Sequence, residues 1–200
     1  MKSRSRGRDL TLRVISMAIL TILETSAARL ADQDICNNVK KRETYVATAS
    51  EPSAVGRPRT FGLSVYIDSY STEQETGKLL NALRINGLHG FQKALIELKT
   101  RGRVVIPGRT GYEAKFIRQC PTKSGREIRI VLDRRMSFME SYYAEPSKGY
   151  DVSGLEINLN DQNKGDGMLY ALSKPHFDQK NHQLVLENIE NRPWRLTNIR

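Results

Sequence analysis

From Arg103 to Ile199 the chain runs as short alternating segments broken by turns, with no amphipathic stretch of crossover-helix length between them. Parallel strands need a crossover of about a dozen residues or more, so segments at this close, even spacing must pair antiparallel. The expected strands are 103–106, 112–119, 126–133, 137–143, 153–160, 167–174, 183–188 and 194–199. Thr122–Gly125 and Asp161–Gly167 read as hairpin loops, because glycine and Asn/Asp tolerate the left-handed backbone such turns require. Another turn is expected at Asp178–Asn181, and Trp194, Leu196 and Ile199 can share one face of a closing strand if a β-bulge corrects their spacing.

The region before Arg103 supplies two further strands and the helical part. Glu43–Ser50 alternates, and in the next strand Phe61, Leu63, Val65 and Ile67 share one face while Ser64, Tyr66 and Asp68 take the other. Thr72 followed by Glu75 fits a capping box, and Leu79, Leu80 and Leu83 give the helix an apolar stripe. Asn86–Gly90 interrupts it; a second helical stretch begins near Phe91 and ends at Arg101-Gly102, which predicts a helical hairpin over residues 72–100. The fold class is therefore α+β and predominantly antiparallel β. About eight to ten strands would form a barrel or sandwich with the hairpin packed on one face or plugging one end.

The first 28 residues have a different character. Lys2, Arg4, Arg6, Arg8 and Arg13 precede an uncharged run, Val14–Leu23, and Ser26 and Ala28 stand at the minus-three and minus-one places of a small-residue cleavage site. That pattern predicts a secretory signal over 1–28, a flexible tether over 29–42 and one globular domain over 43–200. A membrane-spanning helix needs about 20 apolar residues, so no transmembrane segment is expected after cleavage; an uncleaved signal would anchor the domain instead. The expected location is periplasmic or secreted. The whole chain carries +10; residues 1–28 hold five cations and two anions, so a mature domain would keep +7. A balance of that kind supports solubility and loose attraction to anionic surfaces, not a specific nucleic-acid partner.

Cys36 and Cys120 are the only cysteines. In an oxidising compartment they are a candidate disulfide worth about 4 kcal/mol on the chain-entropy account, the alternative being two unpaired thiols. No motif calls for a cofactor. His89, His176 and His182 lack metal-ligand spacing, although His176 and His182 flank one presumed hairpin. The oxygen-rich loop Asn158–Gly167 is no EF-hand, since Gly165 comes one place early and Leu172 stands where the bidentate glutamate belongs. There is no G-x-S-x-G elbow or P-loop. Asp68, Glu113, Asp133 and Glu140 could pair as catalytic carboxylates, as could members of any set of 22 acidic residues. A basic and aromatic surface is expected from Arg126, Arg129, Arg134 and Arg135 with Tyr142 and Tyr143, against a solvated strand face whose arginines pair with Glu127 and Asp133.

The segments RPRTFGL, SYST, GRVVIPGRTGY, RQCPTKSGREIRIVLDR, SFMESYY and NRPWRLTNIR resemble those of a set of exported bacterial proteins to which no activity is assigned. The likeness spans about residues 43–200 and implies domain extent and export, with no site residue carried over. The expected function is an exported, non-enzymatic binding domain for a hydrophobic small molecule, held in a barrel mouth, or for an anionic envelope component. An envelope hydrolase with carboxylates assembled only in the fold and a structural module presenting an edge strand are the alternatives.

Overall fold

A computed structural model describes residues 42–51, 59–136, 152–178, 183–188 and 193–200, all within the unit Asn37–Arg200. The expected signal segment, Cys36, the expected tether up to residue 41, the expected strand at 137–143, Glu140, Tyr142, Tyr143 and His182 lie outside the described residues.

Among the described residues nine strands and one helical segment follow in the order β1 (Glu43–Ser50), β2 (Thr60–Ile67), α1 (Glu73–Ile96), β3 (Gly102–Val105), β4 (Tyr112–Thr122), β5 (Gly125–Leu132), β6 (Val152–Asn160), β7 (Gly165–Asp178), β8 (Gln183–Asn188) and β9 (Trp194–Ile199). All pairings are antiparallel. Strands β1 to β7 pair in sequence, and β9 joins β7 to β1, so eight of the nine strands close into a ring. Strand β8 stands outside it, paired to the second half of the 14-residue β7. Of the two expected architectures the chain adopts the barrel.

The alternation in the sequence fills that ring. Leu63, Val65 and Ile67 of β2 point inward, as do Tyr45, Ala47 and Ala49 of β1. The β1 alanines make room for large neighbours: Ala49 lies opposite Phe61, whose ring centroid is 5.0 Å from that of Trp194. Small residues facing large ones is how a narrow barrel reaches close packing. In β9 the left-handed Asn198 (φ 55°) forms a bulge, and it brings Ile199 back to the inward face already held by Trp194 and Leu196. A second irregularity in β4, between Ala114 and Phe116, turns Phe116 outward and Ile117 inward.

Phe116 faces outward because the helical segment covers that wall. Leu79, Phe91, Ala94, Leu95 and Leu98 pack with Phe116, Val131, Val152 and Tyr170 of the ring and Leu184 and Leu186 of β8 in a second core outside the barrel. Helix α1 begins on the expected capping box: the Thr72 hydroxyl accepts from the Glu75 amide, while the Glu75 carboxylate accepts from the Thr72 amide at 2.8 Å. At Gly87 the backbone leaves helical geometry (φ 60°, ψ −151°). An unbroken helix would hold Lys78 and Glu97 about 28 Å apart, yet their side chains meet at 2.9 Å. The chain thus folds back at Gly87 as a helical hairpin with arms 73–86 and 88–96. Gly90 lies in the crook, where an added Cβ would stand 2.8 Å from the Ala82 carbonyl oxygen. The second arm stops before the expected Arg101-Gly102 boundary. Leu98 is drawn into the outer core, and the Arg101 backbone bonds as strand to Ala114, Asp68 and Ser69.

Candidate functional site

The arginines singled out in the sequence do not share a face. Arg129 points outward from β5 between Glu127 and Glu156, and its Nη1 donates to the Leu184 carbonyl. Arg134 pairs with Asp133 at 2.8 Å and lies over the Tyr112 ring, and Arg135 follows just beyond β5. Arg126 belongs to a different group at the barrel mouth. Its Nη1 donates to Glu43 (2.9 Å) and Gln119 (2.6 Å), and its Nη2 to Tyr45 (2.6 Å) and Asn163 (2.7 Å). Glu43 also accepts from the hydroxyls of Tyr45 (2.7 Å) and Tyr70 (2.8 Å). Burial alone would push the Glu43 carboxyl up; the hydrogen bonds from Tyr45, Arg126 and Tyr70 outweigh it and hold the group below its ordinary range. Burial and the Glu43 charge raise both tyrosines. Every donor and charge named here is answered within the group, so it ties the mouth together and leaves little free polarity for a ligand.

The remaining candidates scatter. Asp68 meets Arg42 at 3.6 Å, and Glu113 and Asp133 meet through backbone groups, the Glu113 amide donating to the Asp133 carboxylate and the Asp133 amide to the Glu113 carbonyl, not carboxyl to carboxyl. Glu51, Glu75, Glu97 and Glu113 are, like Glu43, all shifted towards the ionised form. His89 and His176 are exposed on different elements, and among the described residues no three His, Cys, Asp or Glu side chains gather as a metal site. The Asn160 carboxamide oxygen accepts from the Gln162 and Lys164 amides, which explains the oxygen-rich loop as a hairpin turn. Cys120, on β4, is disulfide-bonded; the chain's other cysteine, Cys36, is outside the described residues.

A groove of about 620 Å³ opens on the outer surface, where the first helical arm and the elbow diverge from the second half of β7. Leu80, Leu83 and Leu88 form its helical wall, and Pro175 and Phe177 its strand wall. Helical spacing sets the first wall: Leu79 turns fully into the outer core, while Leu80 and Leu83 reach it with one side and leave the other side to the groove. Arg84, Lys174 and His176 stand at the rim. His176 is 4.0 Å from Glu187. Arg84 donates to the Asn81 carboxamide at 3.3 Å, and neither it nor Lys174 contacts a carboxylate among the described residues. The site is an apolar trough with two cations at its edge that make no direct ion pair among the described residues, Lys174 standing across the strand pair from Glu187. It can hold an apolar body and attract a negative end; it has no nucleophile and base in reach of each other among its lining residues.

Sequence reasoning missed this groove because its walls lie about ninety residues apart. One signal was available: between Lys78 and Glu97 the chain has no acidic residue, although 22 occur overall. No protein-family model matches the chain, and no curated protein or solved structure matches it either.

Proposed function

We propose that this chain is an exported, non-enzymatic binding domain, and that its ligand is an apolar molecule with an anionic end held in the groove between the helical elbow and β7. The observation that carries the reading is the joining of an apolar trough to two rim cations, Arg84 and Lys174, that make no direct ion pair among the described residues. Arg84 and Lys174 stand beside apolar side chains rather than on an open polar face, and that pairing of cation with apolar trough is what suits an amphiphile with an anionic end. The ring interior is a poorer candidate, because side chains from all eight strands fill it and the Glu43 cluster ties one mouth. A hydrolase working through paired carboxyls needs one of them held protonated near neutrality, whereas the shifted carboxyls among the described residues are all held ionised.

The test is fluorescence titration with 11-(dansylamino)undecanoate, which carries an apolar body and a carboxylate. The wild-type chain should bind it saturably at one site. Leu83→Asp should weaken binding about tenfold or more, because one buried aliphatic contact is worth about that factor and a carboxylate also repels the probe. Lys174→Gln should weaken the carboxylate probe by a few-fold and leave the matching long-chain alcohol unchanged. Absence of saturable binding to the wild type, or equal affinity in Leu83→Asp, would overturn the reading.

A further inference from the structure

The groove ends at the hairpin elbow, and the elbow has features a ligand trough alone does not need. Ile85 is 65% exposed at the turn, one residue beyond the rim cation Arg84. Leu88, across Gly87, lines the groove, and Lys174 stands on its opposite wall, where Glu187 of β8 is the nearest acid in register. No acid interrupts the hairpin from Lys78 to Ile96, so its tip presents one sign of charge around an aliphatic point. The left-handed Gly87 makes this a projecting corner rather than a flat helix face.

From this geometry we infer that the elbow seats the domain on the anionic surface of a lipid bilayer. Ile85 enters the boundary between head groups and acyl chains, and Arg84 and Lys174 meet the lipid phosphates. The groove then opens towards the membrane from which its amphiphilic ligand is drawn. This inference rests on the reading of the groove as an amphiphile site. A bilayer suits the surface better than a protein partner does. The apolar element is only one or two side chains deep, far short of the roughly 800 Å² per side a stable protein interface buries, whereas single-sign charge around a small apolar point is what interfacial binding uses. Outward positions elsewhere on the ring carry Ser64, Arg103, Glu113 and Arg195, unlike the apolar band of a lipid-embedded barrel. Among the described residues no helix is long and apolar enough to cross a membrane. Contact would therefore be peripheral and reversible.

The full chain carrying Ile85→Trp provides the test, mixed with vesicles of phosphatidylcholine alone or with one third phosphatidylglycerol. Trp194 is 4% exposed inside the ring, so the wild-type signal serves as the baseline. The introduced indole should shift to the blue and be quenched by brominated acyl chains on anionic vesicles. Its partitioning there should be about tenfold stronger than on neutral ones, be lost in high salt, and weaken several-fold when Arg84→Glu is added. The leader at 1–28 is present in every sample. If it alone carries the protein to vesicles, the indole at position 85 stays in water and the inference fails. Dansylundecanoate titration of the same variant separates the two ideas: probe binding without insertion removes the membrane seat and keeps the groove, while loss of both removes both.

Discussion

Replacing Glu43 with alanine tests whether the mouth of the barrel is held by charge. The carboxylate accepts from Tyr45, Tyr70 and Arg126 at 2.7, 2.8 and 2.9 Å, and the Glu43 and Arg126 side chains are only 10% and 19% exposed. Breaking a buried charge pair by removing one partner costs about 3–5 kcal/mol. Arg126 keeps Gln119, Tyr45 and Asn163, which moves the expectation to the lower end, about 3 kcal/mol. For a domain of this size that lowers Tm by about 6–12 °C, measured by circular dichroism with a urea series to check the m-value. Glu43→Gln keeps an acceptor oxygen and loses only the charge, so it should cost about half as much. The pH dependence has a definite sign. The folded Glu43 carboxyl lies below its ordinary range, so its contribution is present above the unfolded value of about 4.3 and is lost as pH falls through the folded value. The acid limb of the stability curve should flatten in Glu43→Gln. A loss under about 1 kcal/mol in Glu43→Ala, or no coupling between Glu43→Ala and Arg126→Met in a double-mutant cycle, would refute the reasoning.

Two smaller changes probe the hairpin. Thr72→Ala removes the hydroxyl that accepts from the Glu75 amide and should cost about 1 kcal/mol in urea unfolding, with β-sheet content unchanged by circular dichroism. Gly90→Ala places a methyl against the Asn86 Cβ and 2.8 Å from the Ala82 carbonyl oxygen, so the arms must splay. It should weaken dansylundecanoate binding several-fold by moving the wall formed by Leu83 and Leu88, and an unchanged affinity would show that the wall does not depend on the crook.

Much of the fold was legible because strand alternation and turn chemistry are local. The inward face of β2, the Thr72 and Glu75 box, the hairpin at Gly87 and the bulge that returns Ile199 to the core all follow from residues within a few places of one another. Long-range arrangement was not legible. Nothing in Gln183–Asn188 says that it will stand outside the ring, because Leu184 and Leu186 alternate as an inward strand would, and only the second half of β7 tells them which core they serve. Arg126 read as a surface cation because the carboxylate that claims it lies 83 residues earlier. Arg129, two strand positions from an outward Glu127, paired as its neighbours suggested. Local charge was a fair guide on the strand face and a poor one at the mouth, where ring closure sets the company a residue keeps.

That closure also governs how the molecule can assemble. The seam joins β1 to β9, with Val46 and Arg200 exchanging backbone hydrogen bonds at 3.0 and 3.3 Å across more than 150 positions of sequence. Every earlier pairing in the ring except β7 with β9 joins strands that neighbour each other in the chain, so the sheet can grow as a curling ribbon with two bare margins. Until Trp194–Ile199 slots between those margins, β1 and the first half of β7 remain open to strands of other molecules. The slowest step in folding should be this final docking. Conditions that delay it should favour self-association over the finished barrel.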